Sequence, residues 1–304
     1  MSAAANAAPE VTIGLPVYNG ERFLAQALDS LLGQTLTDFE LVISDNGSED
    51  RTEEICRAYA ARDTRVRYVR HEVNRGATWN WNYVVHAARG EIFKWHSAND
   101  SCDPRMLQAC AEVLRRDPRT VLCYPRTWLV DEAGVKLEQY ALDIEVLEER
   151  PSSRFEYVRE HLFMNNAQSG LIRLAPLRQT GLERPYPHGD MILMAEIALY
   201  GTWRLLPEAL FYRRIDSQSV TRNLPKAELQ AFLSPGRRSM PELQHLRENL
   251  DCVRSVLRAP IGLKERAAAL RHIARRAYYS RHQLWSDVSK IAGRFRSRAP
   301  RSAQ

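Results

Sequence analysis

Short apolar stretches alternate with amphipathic stretches along about the first 115 residues of the chain. Residues 11–17, 40–44, 66–70 and 92–96 are rich in aliphatic and aromatic side chains and predict strands. Between these strands apolar residues recur at helical spacing, which predicts amphipathic helices. Regular alternation of strands and helices is typical of right-handed βαβ units. The pattern therefore predicts an α/β fold with a mainly parallel sheet flanked by helices.

The rhythm changes after Pro118 and predicts a second, mixed half followed by a helical C-terminal extension. We expect a flexible N-terminus over residues 1–9 and one domain over residues 10–222, with halves at 10–118 and 119–222. Residues 223–304 form the predicted basic extension. The predicted elements of the second half are a strand at 121–124, a hairpin over 126–140 turning at Gly134, a helix at 155–163, a strand at 169–173, a helix at 190–199, and two short strands at 203–206 and 210–214.

Composition indicates a globular protein, with 44% hydrophobic and 26% charged residues. The five cysteines are scattered without C-x-x-C spacing, which argues against a disulfide framework or a zinc site and favours a reducing compartment. No secretory signal and no apolar run of spanning length is evident, so we expect a cytoplasmic protein.

The net charge of +6 is concentrated at the C-terminus. From residue 251 onward the chain has 13 Lys and Arg against 3 Asp and Glu, whereas the preceding residues have 30 against 34. A basic amphipathic segment over 263–298 could contact the inner face of an anionic membrane peripherally. The alternative is an ordinary helix that packs its apolar stripe on the domain. Nucleic-acid binding is not expected, because no recognisable module accompanies the basic charge.

Polar residues follow each predicted strand of the first half. Tyr18 and Asn19 follow the first strand, Asp45 and Asn46 the second, and residues 74–76 the third. Carboxyl ends of parallel strands meet at one edge of a sheet, where open α/β sheets bind ligands. A ring to stack, a carboxylate for a base N–H and the guanidinium of Arg75 would form a nucleotide pocket. The alternative at 45–48 is a plain turn.

A fourth loop brings Asn99 and Asp100 to the same edge. Asp100 could bind a hard divalent cation whose shell substrate phosphates complete, or it could stabilise the turn before the next helix. Asp103 and Pro104 are predicted to open that helix, with Asp103 as N-cap. His96 is predicted to be a polar group at the strand end rather than a ligand.

Common nucleotide-binding and hydrolytic motifs are absent from the sequence. It contains no G-x-G-x-x-G after the first strand and no G-x-x-x-x-G-K-[ST], which argues against a dinucleotide dehydrogenase or a P-loop NTPase. It contains no H-E-x-x-H, G-x-S-x-G or kinase set. A nucleotidyltransferase is disfavoured because residues 15–20 do not form a Gly-rich basic loop.

Several segments together resemble the start of a family-2 glycosyltransferase with the GT-A fold. These are residues 12–19, 23–24, 30–35, 39–48, 74–76, Asn82 and 88–91. The resemblance extends over about residues 10 to 215. It implies a nucleotide-sugar donor, uridine as its expected base, and a hydroxyl acceptor that is a saccharide, a lipid-linked group or another molecule. The implied donor-binding residues are Pro16, Tyr18, Asn19, Asp45, Asn46, Arg75, Asn82 and Asn99.

The family resemblance also implies a divalent cation, Mn²⁺ or Mg²⁺, that bridges the donor diphosphate. The family usually carries two acids at the strand end, whereas this chain has Asn99 and Asp100 and keeps only the second. Asp100 is the implied metal ligand. Asp216 stands where the family usually has His and is either a second ligand or a loop residue.

The resemblance implies an inverting displacement in which Asp190 is the catalytic base. Arg213 and Arg214 would offset charge on the leaving diphosphate. The alternative for Asp190 is N-cap duty for the helix that follows. We expect acceptor contacts from residues 128–170 and a setting in cell-surface polysaccharide or glycolipid assembly. The competing interpretation is a non-catalytic module that binds nucleotide sugar or polysaccharide and has a degenerate metal motif.

Overall fold

The computed structural model describes residues 8–215, 225–235, 243–287 and 289. Within residues 8–215 the strands form a single mixed sheet of nine, in the order β3-β2-β1-β4-β8-β6-β9-β5, and β7 pairs with the outer part of β6. The pairs among β1 to β4 are parallel, as is β6 with β9. The strands are β1 Val11–Val17, β2 Phe39–Asp45, β3 Val66–Arg70, β4 Ile92–Trp95, β5 Ser101–Cys102, β6 Thr120–Val130, β7 Lys136–Gln139, β8 Leu171–Arg173 and β9 Thr202–Arg214.

Helices cover both faces of this sheet and form a separate hydrophobic cluster on each. One cluster contains α1, α4 and part of α2, and the other contains α3, α5, α7 and the C-terminal helices. Burial on both faces explains why β1 and β2 are buried at every position and why apolar residues predominate in both without a regular polar alternation. The helices are α1 Leu24–Leu32, α2 Thr52–Arg62, α3 Ala77–Ala87, α4 Met106–Arg116, α5 Pro151–His161, α6 Leu174–Gln179, α7 Gly189–Ala198, α8 Lys226–Leu233, α9 Gln244–Arg258 and α10 Leu263–Tyr279, with a 3₁₀ turn at Ala167–Ser169.

The predicted α/β class and the first four strands are confirmed, to within one residue at each end. The predicted hairpin is also confirmed, because β6 and β7 pair antiparallel and Gly134 turns between them with a φ of 85°. Gly134 adopts this left-handed conformation without the steric cost of a side chain.

Three boundaries differ from the prediction. β6 continues to Val130, because β9 pairs with it along its whole length. The two predicted strands at 203–206 and 210–214 are one strand, β9, whose register with β6 shifts beside Pro207. Proline lacks the N–H that a ladder needs, so a bulge in the sheet reads as a break in the sequence. The short strand β5 was not predicted.

The helix after β5 begins at Met106 rather than at Pro104. The side chain of Asp103 accepts a hydrogen bond from the backbone N–H of Arg105 at 3.0 Å and also binds the Arg105 guanidinium. Asp103 therefore shapes the turn before α4 instead of capping the first turn of that helix, and its carboxylate is paired with Arg105.

The C-terminal helices pack on the domain through their apolar stripes. Cys252 and Val256 of α9, and Ala269 and Ile273 of α10, are buried in the cluster that includes α5 and α7. This is the ordinary-helix alternative for the first part of the basic segment, and membrane contact stays a prediction. Among the described helices none has the length and apolarity needed to cross a membrane.

Gly90 offers a test of how tightly this sheet is packed. A Cβ at Gly90 would lie 2.8 Å from the Thr12 nitrogen and 2.9 Å from the Val11 carbonyl carbon, both in the backbone of the central strand β1. We expect Gly90→Ala to destabilise the fold by about 1–3 kcal/mol, because these backbone atoms cannot move without disturbing β1. Chemical denaturation measures the change.

Gly262→Ala is the matched control, because a Cβ at Gly262 meets nothing within 4 Å. Its unfolding free energy should stay within about 0.5 kcal/mol of the wild type. An equal loss in both variants would show that the close approach at Gly90 is not the cause.

Candidate active site

A cleft of about 1010 Å³ opens at the carboxyl edge of the parallel strands. Its walls come from the loops after β1, β2 and β4, the end of β9, and the loop that leads into α7. Asp45, Arg75 and Asn82 are not on its wall, and Asp216 lies outside the described residues. The predicted site residues that line the cleft are Pro16, Tyr18, Asn19, Asn46, Asn99, Asp100, Asp190, Arg213 and Arg214.

Two asparagine amides join the loops on the first wall. The buried Asn80 amide donates to the carbonyl oxygens of Ser44, at 2.8 Å, and Val17, at 3.3 Å, and so ties together the ends of β2 and β1. The Asn46 amide donates to Asn74 Oδ1 at 2.9 Å, and its Oδ1 accepts the Arg75 N–H at 3.0 Å. Asn80 was not singled out in the sequence because helix position alone does not show that it reaches back to two strand ends.

Asp45 is fully buried and holds the loop after β2. Its Oδ1 accepts the Ser48 N–H at 2.9 Å, and its Oδ2 accepts the Tyr68 hydroxyl at 2.7 Å. Burial, together with this carboxylate, raises the pKa of Tyr68. The geometry corresponds to the turn alternative, because both carboxylate oxygens already accept hydrogen bonds within the protein. A direct contact of Asp45 with the base is not supported by this arrangement.

Three other predicted donor residues have protein partners. The Arg75 guanidinium lies over the Trp79 ring at 4.7 Å, and Asn19 Oδ1 accepts the Glu49 N–H at 2.9 Å. The Asn82 amide donates to the carbonyl oxygen of Glu183 at 3.1 Å, and Asn82 Oδ1 accepts the Glu183 N–H at 2.9 Å. Arg75 and Asn82 do not line the cleft in this structure, and their direct contact with a donor stays a prediction. Asn19 lines the cleft but does not cap α1, which begins at Leu24.

Asp100 projects into the cleft from the loop after β4. Its Oδ1 accepts the backbone N–H of Arg214 at 2.9 Å, and its Oδ2 accepts no hydrogen bond within the described residues. Burial raises the pKa of Asp100, while the charge of Arg213 acts in the opposite direction. Next to it, Asn99 Oδ1 accepts the Ser97 hydroxyl at 2.6 Å. One open carboxylate oxygen with an adjacent amide fits a divalent cation whose remaining ligands are phosphate oxygens and water.

His96 lies beneath this loop and is fully buried. Its Nε2 is 3.1 Å from the carbonyl oxygen of Asp100, and burial lowers the pKa of His96 well below its usual value. It is a polar group at the end of β4, as predicted, its low pKa favours the neutral form, and its ring contacts the backbone of the Asp100 loop.

The two arginines at the end of β9 have different positions. The Arg214 guanidinium donates to the carbonyl oxygens of Asn99, at 2.9 Å, and Asp131, at 3.0 Å, and to Gln26 Oε1 at 2.9 Å. It is also 4.3 Å from the centre of the Phe23 ring. These contacts occupy the guanidinium, so the predicted diphosphate role of Arg214 is not supported.

Arg213 is less constrained than Arg214. Within the described residues its side chain makes one hydrogen bond, at 2.8 Å to Asn166 Oδ1, and it lines the cleft near Asp100. Of the two arginines, Arg213 is the one placed to meet an anionic ligand beside Asp100.

Asp190 lies across the cleft, in the first turn of α7. Its side chain makes no N-cap hydrogen bond, since the cap position is His188. Instead, Asp190 Oδ2 accepts from the Asn165 amide at 3.0 Å, and the same amide donates to Gln168 Oε1 at 3.0 Å. Gln168 in turn donates to Glu183. The N-cap alternative is therefore not seen, and the carboxylate is held facing the cleft.

The sequence did not single out Asn165, Gln168 or Glu183. They lie on separate turns and loops, and no spacing relates them to Asp190. The only available signal was the expectation that residues 128–170 contribute to the cleft. A carboxylate held by amides is suited to accept a proton from a bound hydroxyl group.

The loop at 181–189 is held by the C-terminal helices. Arg184 donates to the buried Glu196 at 2.7 Å, and the Ser255 hydroxyl of α9 donates to the same carboxylate at 2.9 Å. The Tyr186 hydroxyl donates to Asp251 of α9 at 2.7 Å. The C-terminal helices therefore fix the loop that leads into Asp190. Leu229, Phe232 and Leu233 of α8 also line the cleft.

Residues 12–172 match the family model described as glycosyl transferase family 2. A glycosyltransferase of Bacillus subtilis named EpsJ, itself uncharacterized, is 38% identical over 104 residues, which is 34% of this chain and 30% of that protein. The chondroitin synthase of Escherichia coli is 30% identical over 133 residues, which is 44% of this chain and 19% of the synthase. The chain thus spans less than a third of the length of both of these relatives.

Solved structures resemble the chain over most of its length. S. aureus TarS in complex with UDP aligns with a TM-score of 0.62 and 17% identity, over 89% of this chain and 72% of that one. The mannosyltransferase PcManGT from Pyrobaculum calidifontis, in complex with GDP-Man and Mn²⁺, aligns with a TM-score of 0.54 and 15% identity, over 96% and 77%. At these identities the likeness concerns the fold.

The different contacts of Arg213 and Arg214 can be tested with matched substitutions to Lys. Arg214→Lys should destabilise the protein by about 2–4 kcal/mol, because one ammonium group cannot replace the fork that binds several carbonyl oxygens. Arg213→Lys should keep the unfolding free energy within about 1 kcal/mol, because among the described residues its side chain bonds only to Asn166. Chemical denaturation of the two variants measures the difference. Equal stability of the two variants would contradict the structural role of Arg214.

Proposed function

The chain belongs to glycosyl transferase family 2 and has the GT-A-type fold, and we propose that it transfers a sugar from a UDP-sugar to a hydroxyl acceptor with inversion. The observation that carries the proposal is the placement of Asp100 and Asp190 on one cleft, at the carboxyl edge of the sheet. Asp100 lies beside Arg213, where a diphosphate would bind, and Asp190 faces it as the only predicted base. We propose residues 10–118 as the nucleotide-binding half, 119–222 as the acceptor half and 223–304 as the extension.

The donor end of the cleft is built by the loops after β1 and β2. The Tyr18 ring is 38% exposed on this wall and is available for stacking on a base. TarS has been crystallised with UDP and with UDP-GlcNAc, and PcManGT with GDP-Man. These complexes support a nucleotide sugar as the donor. We favour uridine, since the first-half motifs of this chain resemble the uridine-binding loops of the family.

Asp100 would hold the divalent cation, with Asn99 as the adjacent oxygen donor. Such a cation, Mn²⁺ or Mg²⁺, offsets negative charge on a diphosphate leaving group when it is bound. Arg213 adds a fixed positive charge at the same end of the cleft. With one carboxylate in place of two, we expect a weaker metal site than the family's usual motif. A contribution of Asp216 to the metal site stays a prediction.

Asp190 would act as the general base. Its carboxylate takes the proton of the acceptor hydroxyl as that oxygen forms the new bond to the anomeric carbon and the bond to the diphosphate breaks. Attack from the side opposite the leaving group inverts the configuration. The Asn165 amide donates to Asp190 Oδ2 and orients the carboxylate, while Oδ1 accepts no hydrogen bond within the described residues.

The acceptor would bind near Asn165 and Gln168, inside the predicted region at 128–170. The match to a chondroitin synthase supports a saccharide acceptor and polysaccharide or glycolipid assembly as the setting. A lipid-linked acceptor would be compatible with peripheral contact between the basic C-terminal extension and the membrane. The second candidate, a non-catalytic binding module, is favoured only by the single acid at 99–100.

A panel of sugar nucleotides separates these functions. Each is tested for thermal stabilisation with and without Mn²⁺, and then for release of nucleoside diphosphate. Metal-dependent stabilisation by a UDP-sugar, followed by turnover with a saccharide, is the expected result. Tight binding without any hydrolysis or transfer would favour the binding module.

Asp190→Asn should lower the transfer rate by about 10²–10⁴-fold and leave donor affinity unchanged. The amide oxygen can still accept from Asn165, so the local structure is kept while the base is lost. Initial rates and titration with UDP measure the two quantities. Glu208→Gln, at an exposed position of β9, is the control and should behave as the wild type. Loss of donor binding in Asp190→Asn would contradict the role of Asp190 as the general base.

Asp100→Asn should abolish the stabilisation by Mn²⁺ that depends on donor. The Asn side chain can still accept the Arg214 N–H through its oxygen, but it lacks the negative charge that a hard cation prefers. Melting temperatures with donor, with and without metal, measure this effect. Asp103→Asn is the matched control, because Asp103 contacts Arg105. An unchanged metal response in Asp100→Asn would exclude Asp100 as the ligand.

A further inference from the structure

A second carboxyl group, that of Glu183, lines the cleft beside Asp190. Two amides connect the pair, because Asn165 donates to both Asp190 and Gln168, and Gln168 donates to Glu183 Oε1. Each carboxyl group thus has one oxygen held by an amide. The other oxygens, Asp190 Oδ1 and Glu183 Oε2, make no hydrogen bond within the described part of the chain.

The position of Glu183 is fixed by its backbone as well as by its side chain. Its N–H donates to Asn82 Oδ1 at 2.9 Å, and its carbonyl accepts from the Asn82 amide at 3.1 Å. The next residue, Arg184, is anchored to the buried Glu196 at 2.7 Å. A carboxyl group held this firmly on a cleft wall is a preorganised binding group.

The surroundings of Glu183 favour its neutral form. Burial, and then the negative charge of Asp190, raise the pKa of Glu183 to about 8. The Gln168 hydrogen bond and the charge of Arg184 act in the opposite direction. The Arg184 guanidinium is shared with Glu196 and Ser255, so it does not form an ion pair with Glu183. Near neutral pH the Glu183 carboxyl group therefore has a proton to donate.

We propose that Glu183 binds substrate in this neutral form, donating a hydrogen bond from Oε2 to a sugar hydroxyl held next to Asp190. The proposal rests on the proposed function, and it assigns different tasks to the two acids. Asp190 removes a proton from the attacking hydroxyl, whereas Glu183 keeps its proton and orients a neighbouring hydroxyl. The preferred substrate would then be a polyhydroxylated sugar rather than an isolated hydroxyl group.

Two substitutions at Glu183 test the proposal. Glu183→Gln keeps a neutral donor, and we expect kcat/KM at pH 7 to stay within about threefold of the wild type. Glu183→Ala removes the donor and should lower kcat/KM about tenfold. Glu208→Gln is the control for a remote acid. If Glu183→Gln is as impaired as Glu183→Ala while both remain folded, an ionised carboxylate is required and the proposal is overturned.

The pH dependence provides a second readout that a purely structural contact would not change. The wild type should lose kcat/KM as the pH rises through about 8, because the ionised Glu183 no longer donates and adds negative charge next to Asp190. Glu183→Gln does not ionise and should lack this alkaline loss. The same alkaline limb in both proteins would contradict the proposal.

Stability shows the protonation of Glu183 without an activity assay. An unfolded Glu ionises near 4.5, whereas the folded one ionises near 8, so the wild type loses stability relative to Glu183→Gln as the pH rises between these values. Melting temperatures from pH 4.5 to 8.5 should show the difference growing. If the difference in melting temperature between the wild type and Glu183→Gln stays constant with pH, Glu183 is not neutral in the folded protein and the proposal is overturned.

The source of the hydroxyl group is resolved by the kinetic constants. A contact with the acceptor raises the acceptor KM in Glu183→Ala, and a contact with the donor sugar raises the donor KM. No change in either KM or in kcat would overturn the proposal. Failure of the proposed function is separate, since it would appear as absence of turnover in the wild type with every sugar nucleotide.

Discussion

The arrangement of the cleft depends on buried amide groups that join the carboxyl ends of the central strands. Asn80 pairs the carbonyl groups at the ends of β1 and β2, and Asn46 joins the β2 loop to residues 74–76. Apolar packing holds the strands in place. Because the hydrophobic effect is non-directional, it does not fix the conformation of the polar loops at the strand ends. A buried polar group without a partner is costly, so these hydrogen bonds select one loop geometry. The geometry of the first wall of the cleft follows from that selection.

The opposite wall is positioned in a different way. The loop at 181–189 leads into Asp190 and is held by Glu196 of α7 and by Ser255 and Asp251 of α9. Glu196 is a buried carboxylate, and burying a charge is unfavourable unless the charge is paired. Its contacts with Arg184 and Ser255 therefore favour one position of the loop. The C-terminal helices therefore belong to the architecture of the site.

Charge is distributed unevenly between the two ends of the cleft. Arg213 lies near Asp100, with the buried Lys94 beneath, whereas Glu183 lies near Asp190. Positive groups at one end suit a diphosphate, and a carboxyl pair at the other suits hydroxyl groups and proton transfer. Burial lowers the pKa of Lys94 and raises that of Asp100, so both groups are held in an environment that disfavours charge without a bound partner. The single acid at this end is consistent with a site completed by substrate.

The sequence by itself determined the βαβ half, the loops that meet at its edge, and the position of Asp100 on that edge. These follow from periodicity and strand ends, which are local properties of the chain, whereas Asp190 was implied by the resemblance to the family. Only the tertiary structure decided that Arg214 binds neighbouring loops while Arg213 faces the cleft, and that Asp45 stabilises a turn. It also decided that Asn80, Asn165 and Glu183 belong to the site. Their roles depend on which distant groups they meet, and hydrogen bonding between residues far apart in sequence leaves no periodic trace in the chain.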